Sequence, residues 1–181
     1  LPIHHFLVTF TVPEELRGLL RACPREGYEA IFSAGAETIQ KLLTNPKWLG
    51  SDNVGFFGVL QTWGRDPEIY HPHVHFVVPG GGVSPDGTRW LQVKPDQLFH
   101  PRPACALYKT LFVEAIKQAG LYSKLPFGVL KKNWVVNIKP VGNGEAVLKY
   151  LAPYVNRVAI SDNRIVTVDD SGVTYSVTPT G

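Results

Sequence analysis

The sequence predicts an α+β fold: a central, largely antiparallel β-sheet with flanking helices. Three observations carry that prediction. Residues 5–11, 54–63 and 70–78 are β-branched and aromatic runs of strand length, bounded by turn residues. Over 28–43 and 101–119, large apolar residues instead recur at helical spacing. The connection between the second and third runs is a short loop, Gly64-Arg65-Asp66-Pro67-Glu68, which suits antiparallel neighbours and is too short for a parallel crossover. At 181 residues, 44% hydrophobic and 18% charged, the chain suffices for one hydrophobic core. The expectation is a single domain over 1–181.

Each element has its own local reason. His5 to Thr11 is a strand ending before Pro13. Pro13-Glu14-Glu15-Leu16 places proline and acids where a helical first turn favours them, so a short helix runs to about Cys23. Ile31, Phe32, Ala36, Ile39, Leu42 and Leu43 mark the next helix, which stops at Thr44-Asn45-Pro46. Gly55 and Gly58 in the 54–63 strand suggest a bulge or a close backbone approach. Pro79-Gly80-Gly81-Gly82 ends the third strand, and the turn Ser84-Pro85-Asp86-Gly87 leads to a short strand near 89–93. Leu107, Leu111, Phe112, Ala115 and Ile116 face inward from the 101–119 helix. A strand over 134–138 and a helix over 145–155 follow, then a strand meander over 157–161, 164–168 and 173–177. Trp48, Trp90 and Trp134 are expected in the core.

Composition excludes several classes. No apolar run approaches the roughly 20 residues that span a bilayer, and the start lacks a signal peptide's basic region and cleavage site. Two cysteines, Cys23 and Cys105, form no CxxC cluster, so neither a disulfide framework nor a zinc finger is encoded. A reducing cytoplasmic setting fits best. The chain has no methionine, so it is expected to be a piece of a longer protein. The net charge of +3 proves no nucleic-acid partner, but its distribution is uneven. Between 131 and 164, Lys131, Lys132, Lys139, Lys149, Arg157 and Arg164 outnumber Glu145 and Asp162.

Two constellations carry chemistry. In Tyr70-His71-Pro72-His73-Val74-His75-Phe76-Val77-Val78, strand alternation puts His71, His73 and His75 on one face and Val74, Phe76 and Val78 on the other. Neutral imidazole is a common metal ligand, and two at i and i+2 can reach one ion. Solvated sheet-face histidines are the plain alternative. The second constellation is Tyr150 and Tyr154, at i and i+4 on one helix face, with Lys149 and Arg157 nearby. Taken alone, tyrosines at that spacing signal packing more often than chemistry. Pro153 between them removes a backbone donor and should kink the helix. Together the two sets suggest phosphodiester chemistry. A bound divalent ion would withdraw charge from a phosphodiester oxygen while a phenolate attacks phosphorus. Two tyrosines allow two such transfers.

Gln61-Thr62-Trp63-Gly64, His71-Pro72-His73-Val74-His75, Pro79-Gly80-Gly81-Gly82 and Tyr150 to Ser161 resemble the two-tyrosine transposases of the insertion sequence ninety-one type. These are HUH endonucleases, bacterial relatives of Helitrons. The opening Leu1 to Arg17 also resembles the start of that catalytic region, so the resemblance covers nearly the whole chain in order. It implies a ferredoxin/RRM-like HUH fold and a rolling-circle transposase. Such an enzyme nicks single-stranded DNA at transposon ends bearing hairpins, leaves a free 3′-OH and forms a 5′-phosphotyrosine with Mg²⁺ or Mn²⁺. By residue, His73 and His75 match the HUH pair, and Tyr150 and Tyr154 match the nucleophiles. Full-length members also carry an N-terminal zinc-binding module.

The chain departs from that pattern. Gln61 stands where the family usually has His, Asn156 where it often has His, and Pro153 where a polar residue is usual. Gln61 is the first candidate for third metal ligand, since a carboxamide oxygen suits Mg²⁺. His71 is its rival, with Asp66 and Glu68 behind. Arg157, Lys149, Lys139 and Arg89 are candidate phosphate contacts, and Trp63 a candidate base-stacking surface; His71 is also placed at the DNA. Three alternatives stand beside the transposase: a plasmid replication initiator or relaxase with the same chemistry, a cupin-like oxygenase, and a non-catalytic DNA-hairpin binder. A cupin wants an acid three to five residues beyond the histidine pair, and Val78, Pro79 and Gly80 stand there.

Overall fold

The computed structural model describes residues 3–64, 69–147, 149, 165–170 and 172–176. Four strands make the main sheet: β1 (His5–Thr11), β2 (Phe57–Trp63), β3 (Tyr70–Pro79) and, numbered sixth in the chain, β6 (Val135–Gly142). Their spatial order is β2-β3-β1-β6, and every pairing is antiparallel. Two further strands, β4 (Gly81–Val83) and β5 (Trp90–Gln92), form a separate hairpin, as do β7 (Ile165–Asp169) and β8 (Gly172–Tyr175). The expected α+β architecture with an antiparallel sheet is therefore present. The pair 54–63 and 70–78 forms as predicted, with the first strand beginning at Phe57. The 157–161 strand and most of the 145–155 helix lie outside the described residues.

One face of the sheet is buried by α2 (Pro24–Thr44) and α3 (Pro101–Gln118). Strand alternation sends Phe6, Val8 and Phe10 of β1 and Val74, Phe76 and Val78 of β3 into that core, all of them at most 1% exposed. Gly35 lets α2 sit closely on the sheet. A Cβ there would lie 2.8 Å from the Phe76 ring and 3.2 Å from the Phe10 ring. The Phe76 ring is itself fixed among Phe10, Phe32 and Phe56, at centroid distances of 5.9, 5.1 and 5.7 Å. Gly35→Val is therefore expected to lower stability by about 1–3 kcal/mol through overpacking, readable as a lower urea midpoint with unchanged slope.

Two expectations are corrected. The first long helix starts at Pro24, not Tyr28: proline occupies its first turn, where the missing N–H costs no helical hydrogen bond. The short helix before it, α1 (Arg17–Ala22), is preceded by a 3-10 turn at Glu14–Leu16. Trp134 is core, 7% exposed, but Trp90 is 42% exposed on the β4–β5 hairpin, where a three-residue strand offers nothing to bury it. Among the described residues, no helix is long and apolar enough to cross a membrane.

Candidate metal and nucleic-acid site

The sheet face opposite α2 and α3 carries the histidines. On β3, His73 and His75 are 7% and 9% exposed, and their rings are 4.7 Å apart, edge to face. Antiparallel register puts Gln61 of β2 directly opposite His73 and Thr9 of β1 directly opposite His75. Directly opposed residues share a face with Cβ atoms about 4.5–5.5 Å apart. Gln61 is buried, at 5% exposure, which is unusual for a carboxamide outside a polar cluster. Pro72 lacks an N–H for the sheet, and the β2–β3 register shifts nearby, between Gln61 and Trp63.

Hydrogen bonds fix which ring nitrogen carries a proton. The Nδ1–H of His73 donates to the His71 carbonyl at 2.7 Å, because a carbonyl can only accept. The Nε2 of neutral His73 therefore keeps its lone pair. His71 is arranged the opposite way. A guanidinium of Arg17, which can only donate, bonds the His71 Nδ1 at 3.0 Å, so a neutral His71 carries its proton on Nε2. Thr9 Oγ1 lies 2.8 Å from His75 Nδ1, a bond in which the hydroxyl can either donate or accept. All three imidazoles are held below the ordinary histidine range, first by desolvation. For His75 burial and the neighbouring His73 bring the value to about 4. At neutral pH these rings are uncharged, the form that binds metals.

The donor set thus fits a divalent cation in part by histidine and in part by carboxamide. Ligands near 2.1 Å from one ion lie about 3 Å apart, a separation compatible with rings at 4.7 Å. Among the described residues, no group of three His, Cys, Asp or Glu side chains is placed to hold a metal. The His71 Nδ1 is taken by Arg17, while its ring stays 5.3 Å from that of His73. Asp66 and Glu68 lie outside the described residues.

The start of the next helix crosses this same face. Asn143 caps it: its side-chain oxygen accepts the Ala146 N–H at 3.1 Å, and its carbonyl accepts the Val147 N–H at 3.0 Å. Val147 then packs with Leu7 of β1 and Val77 of β3, two buried residues in register with each other. Val77 is two residues from His75 on the same face. Tyr150, Tyr154 and Arg157 lie outside the described residues. Lys149 is exposed and pairs with Glu145 at 3.3 Å. Lys139 of β6 and Lys149 line one cleft with Pro140, Val141 and Ala146, so two of the predicted basic residues come together. Trp63 is half-buried at the end of β2, opposite Tyr70. Arg89 stands apart. It adjoins β5, whose partner is β4 and not a strand of the main sheet. Sequence reasoning missed Thr9 and Arg17; both act across strands or elements, and only the register reveals them.

Comparison with known proteins places this chain in a family. The family model Y2_Tnp, described as "Putative transposase", matches residues 55–180. The chain is 38% identical over 194 aligned residues to a protein of Sinorhizobium fredii (strain NBRC 101917 / NGR234) named "Putative transposase y4qJ". It is 28% identical over 172 aligned residues to the transposase for insertion sequence element IS801 of Pseudomonas savastanoi pv. phaseolicola. These alignments take in 97% and 87% of this chain but only 48% and 40% of the relatives, so the chain spans about half their length or less. Among solved structures it is similar to the conjugative relaxase TrwC in complex with oriT DNA, in a metal-bound form, at 19% identity and a TM-score of 0.49, covering 65% of this chain and 44% of that one. A second TrwC structure, with mutant oriT DNA, covers 88% of this chain and 60% of that one at 17% identity and a TM-score of 0.49. With the family model matched over well over half its length, this chain belongs to the Y2_Tnp transposases, the insertion sequence ninety-one type.

Proposed function

We propose that this chain is the catalytic part of a rolling-circle transposase that nicks and rejoins single-stranded DNA through tyrosine nucleophiles. One observation carries the reading furthest. The helix that leads toward Tyr150 begins on the imidazole face, anchored by Val147 on Leu7 and Val77. Tyr150 comes three residues after Val147 in the sequence, and that closeness along the chain supports bringing a phenol to this face.

His73 and His75, with the Gln61 carboxamide, would hold Mg²⁺ or Mn²⁺. The tautomer of His73 supports this, since its Nε2 is left as a donor, while His71 has its remaining nitrogen protonated. When bound, the ion supplies Lewis-acid polarisation of the scissile phosphate. The chain's own residues do the rest. The His71 carbonyl and Thr9 hold the two rings in orientation. Tyr150 or Tyr154 loses its proton and attacks phosphorus; the P–O3′ bond breaks, the 3′ oxygen leaves to become a free 3′-OH, and a 5′-phosphotyrosine remains. The second phenol allows a second transfer. Lys139 and Lys149 are placed to meet phosphates along their shared cleft.

The test is incubation with single-stranded transposon ends and Mn²⁺. A protein–DNA adduct that survives denaturation is expected, and none in EDTA. Adduct formation undiminished by EDTA would remove the metal from the proposal. A finer expectation concerns Thr9→Val, which is nearly isosteric and removes the partner of His75 Nδ1. Mn²⁺ affinity should fall about 10–100-fold, the usual cost of losing a ligand's orienting bond, with the melting temperature nearly unchanged. Titration calorimetry checks it.

A further inference from the structure

A cleft lined by two arginines lies beside His71. Arg17 and Arg21 stand one turn apart on α1 and line a cleft of about 280 Å³ with Gly18, Ile69 and Tyr70. The Arg21 guanidinium lies 4.7 Å from the centre of the Tyr70 ring. That ring is fixed in turn, since its hydroxyl donates to the Tyr28 hydroxyl of α2 at 3.0 Å. Arg17 uses one donor on neutral His71, whose ring is 5.3 Å from that of His73.

The charge balance of this cleft is the informative point. Like charges at i and i+4 repel. Glu14 comes only to 3.8 Å of Arg17 and is 73% exposed, a geometry worth little. Glu15 is engaged elsewhere, 2.7 Å from Lys132. Among the described residues, no carboxylate pairs with Arg21. Two guanidiniums side by side, one resting on an aromatic ring and one on an imidazole, offer planar forks suited to phosphate oxygens.

We propose that Arg17, Arg21 and Tyr70 clamp the backbone phosphates of the single strand next to the one that is cut. The clamp rests on the proposed function for its ligand. Arg17 then has two duties: it orders His71 beside the catalytic pair and holds the strand's backbone in line with it. Arg21 rests on the Tyr70 ring, so its replacement reports on strand binding.

The experiment measures anisotropy of a fluorescein-labelled single strand of mixed sequence in EDTA, across a salt series, for wild type, Arg21→Lys and Arg21→Gln. Affinity should fall about 3–10-fold in Arg21→Gln and less in Arg21→Lys. The slope of log affinity against log salt should shrink by about 0.7 in Arg21→Gln, the loss of one phosphate contact. Equal affinity and slope in wild type and Arg21→Gln, with wild type still forming the adduct, would overturn the clamp and leave the transposase reading standing. So would a lowered melting temperature with unchanged affinity, which would make the arginine structural. A wild-type protein that neither binds this strand nor forms the adduct on transposon ends with Mn²⁺ would bring down both.

Discussion

His73→Ala is expected to lower Mn²⁺-dependent cleavage by on the order of 10³-fold or more, about 4 kcal/mol of transition-state stabilisation. Two effects combine. The substitution removes the donor whose lone pair the His71 carbonyl leaves exposed, and it opens a hole beside the buried His75. His71→Ala makes the informative partner experiment. It deletes an imidazole from the same face but keeps the backbone carbonyl that orients His73. Its loss should stay under about tenfold, and Mn²⁺ should still bind. Single-turnover cleavage with a Mn²⁺ titration distinguishes the two, because a missing ligand raises the metal requirement whereas a misplaced substrate does not. Equal losses in both variants would move the third ligand from Gln61 to His71.

The Tyr150→Phe, Tyr154→Phe double variant should form no covalent adduct, a loss on the order of 10⁴-fold or more, as when a nucleophile is removed outright. Phenylalanine keeps the ring and deletes only the attacking oxygen, so metal affinity should not change. A free phenol has a pKa of about 10, so the neighbouring ion and cations must favour the phenolate. Each single variant should still cut one strand but fail to pass the held end to a second site. Denaturing electrophoresis of labelled strands reads both steps. An adduct persisting in the double variant would remove the tyrosines from the mechanism.

Much of this was legible because a strand has a period of two. The pattern His-Pro-His-Val-His assigns the histidines to one face and Val74 and Phe76 to the other, and the structure keeps that division. The pairing of β2 with β3 follows from one short loop and puts Gln61 on the strand beside the histidines, but only the register shows it directly opposite His73. What sequence could not show were contacts between distant segments. Arg17 and His71 are 54 residues apart, Thr9 and His75 are 66 apart, and no local pattern links either pair. Pro24 misled because proline both stops a helix and opens one. Trp90 misled because aromatic size favours burial only where a neighbouring layer exists to receive it.

The sheet order has a practical consequence for dissecting this protein. The first strand of the chain is interior, sandwiched between β3 and β6. A piece cut to the family-matched stretch, starting at residue 55, would keep every histidine named above from 71 to 75 yet lose the plank that joins the two halves of the platform. β3 and β6 would each gain a bare hydrogen-bonding edge, a template for aggregation. The smallest workable unit must therefore reach back through residues 5–11.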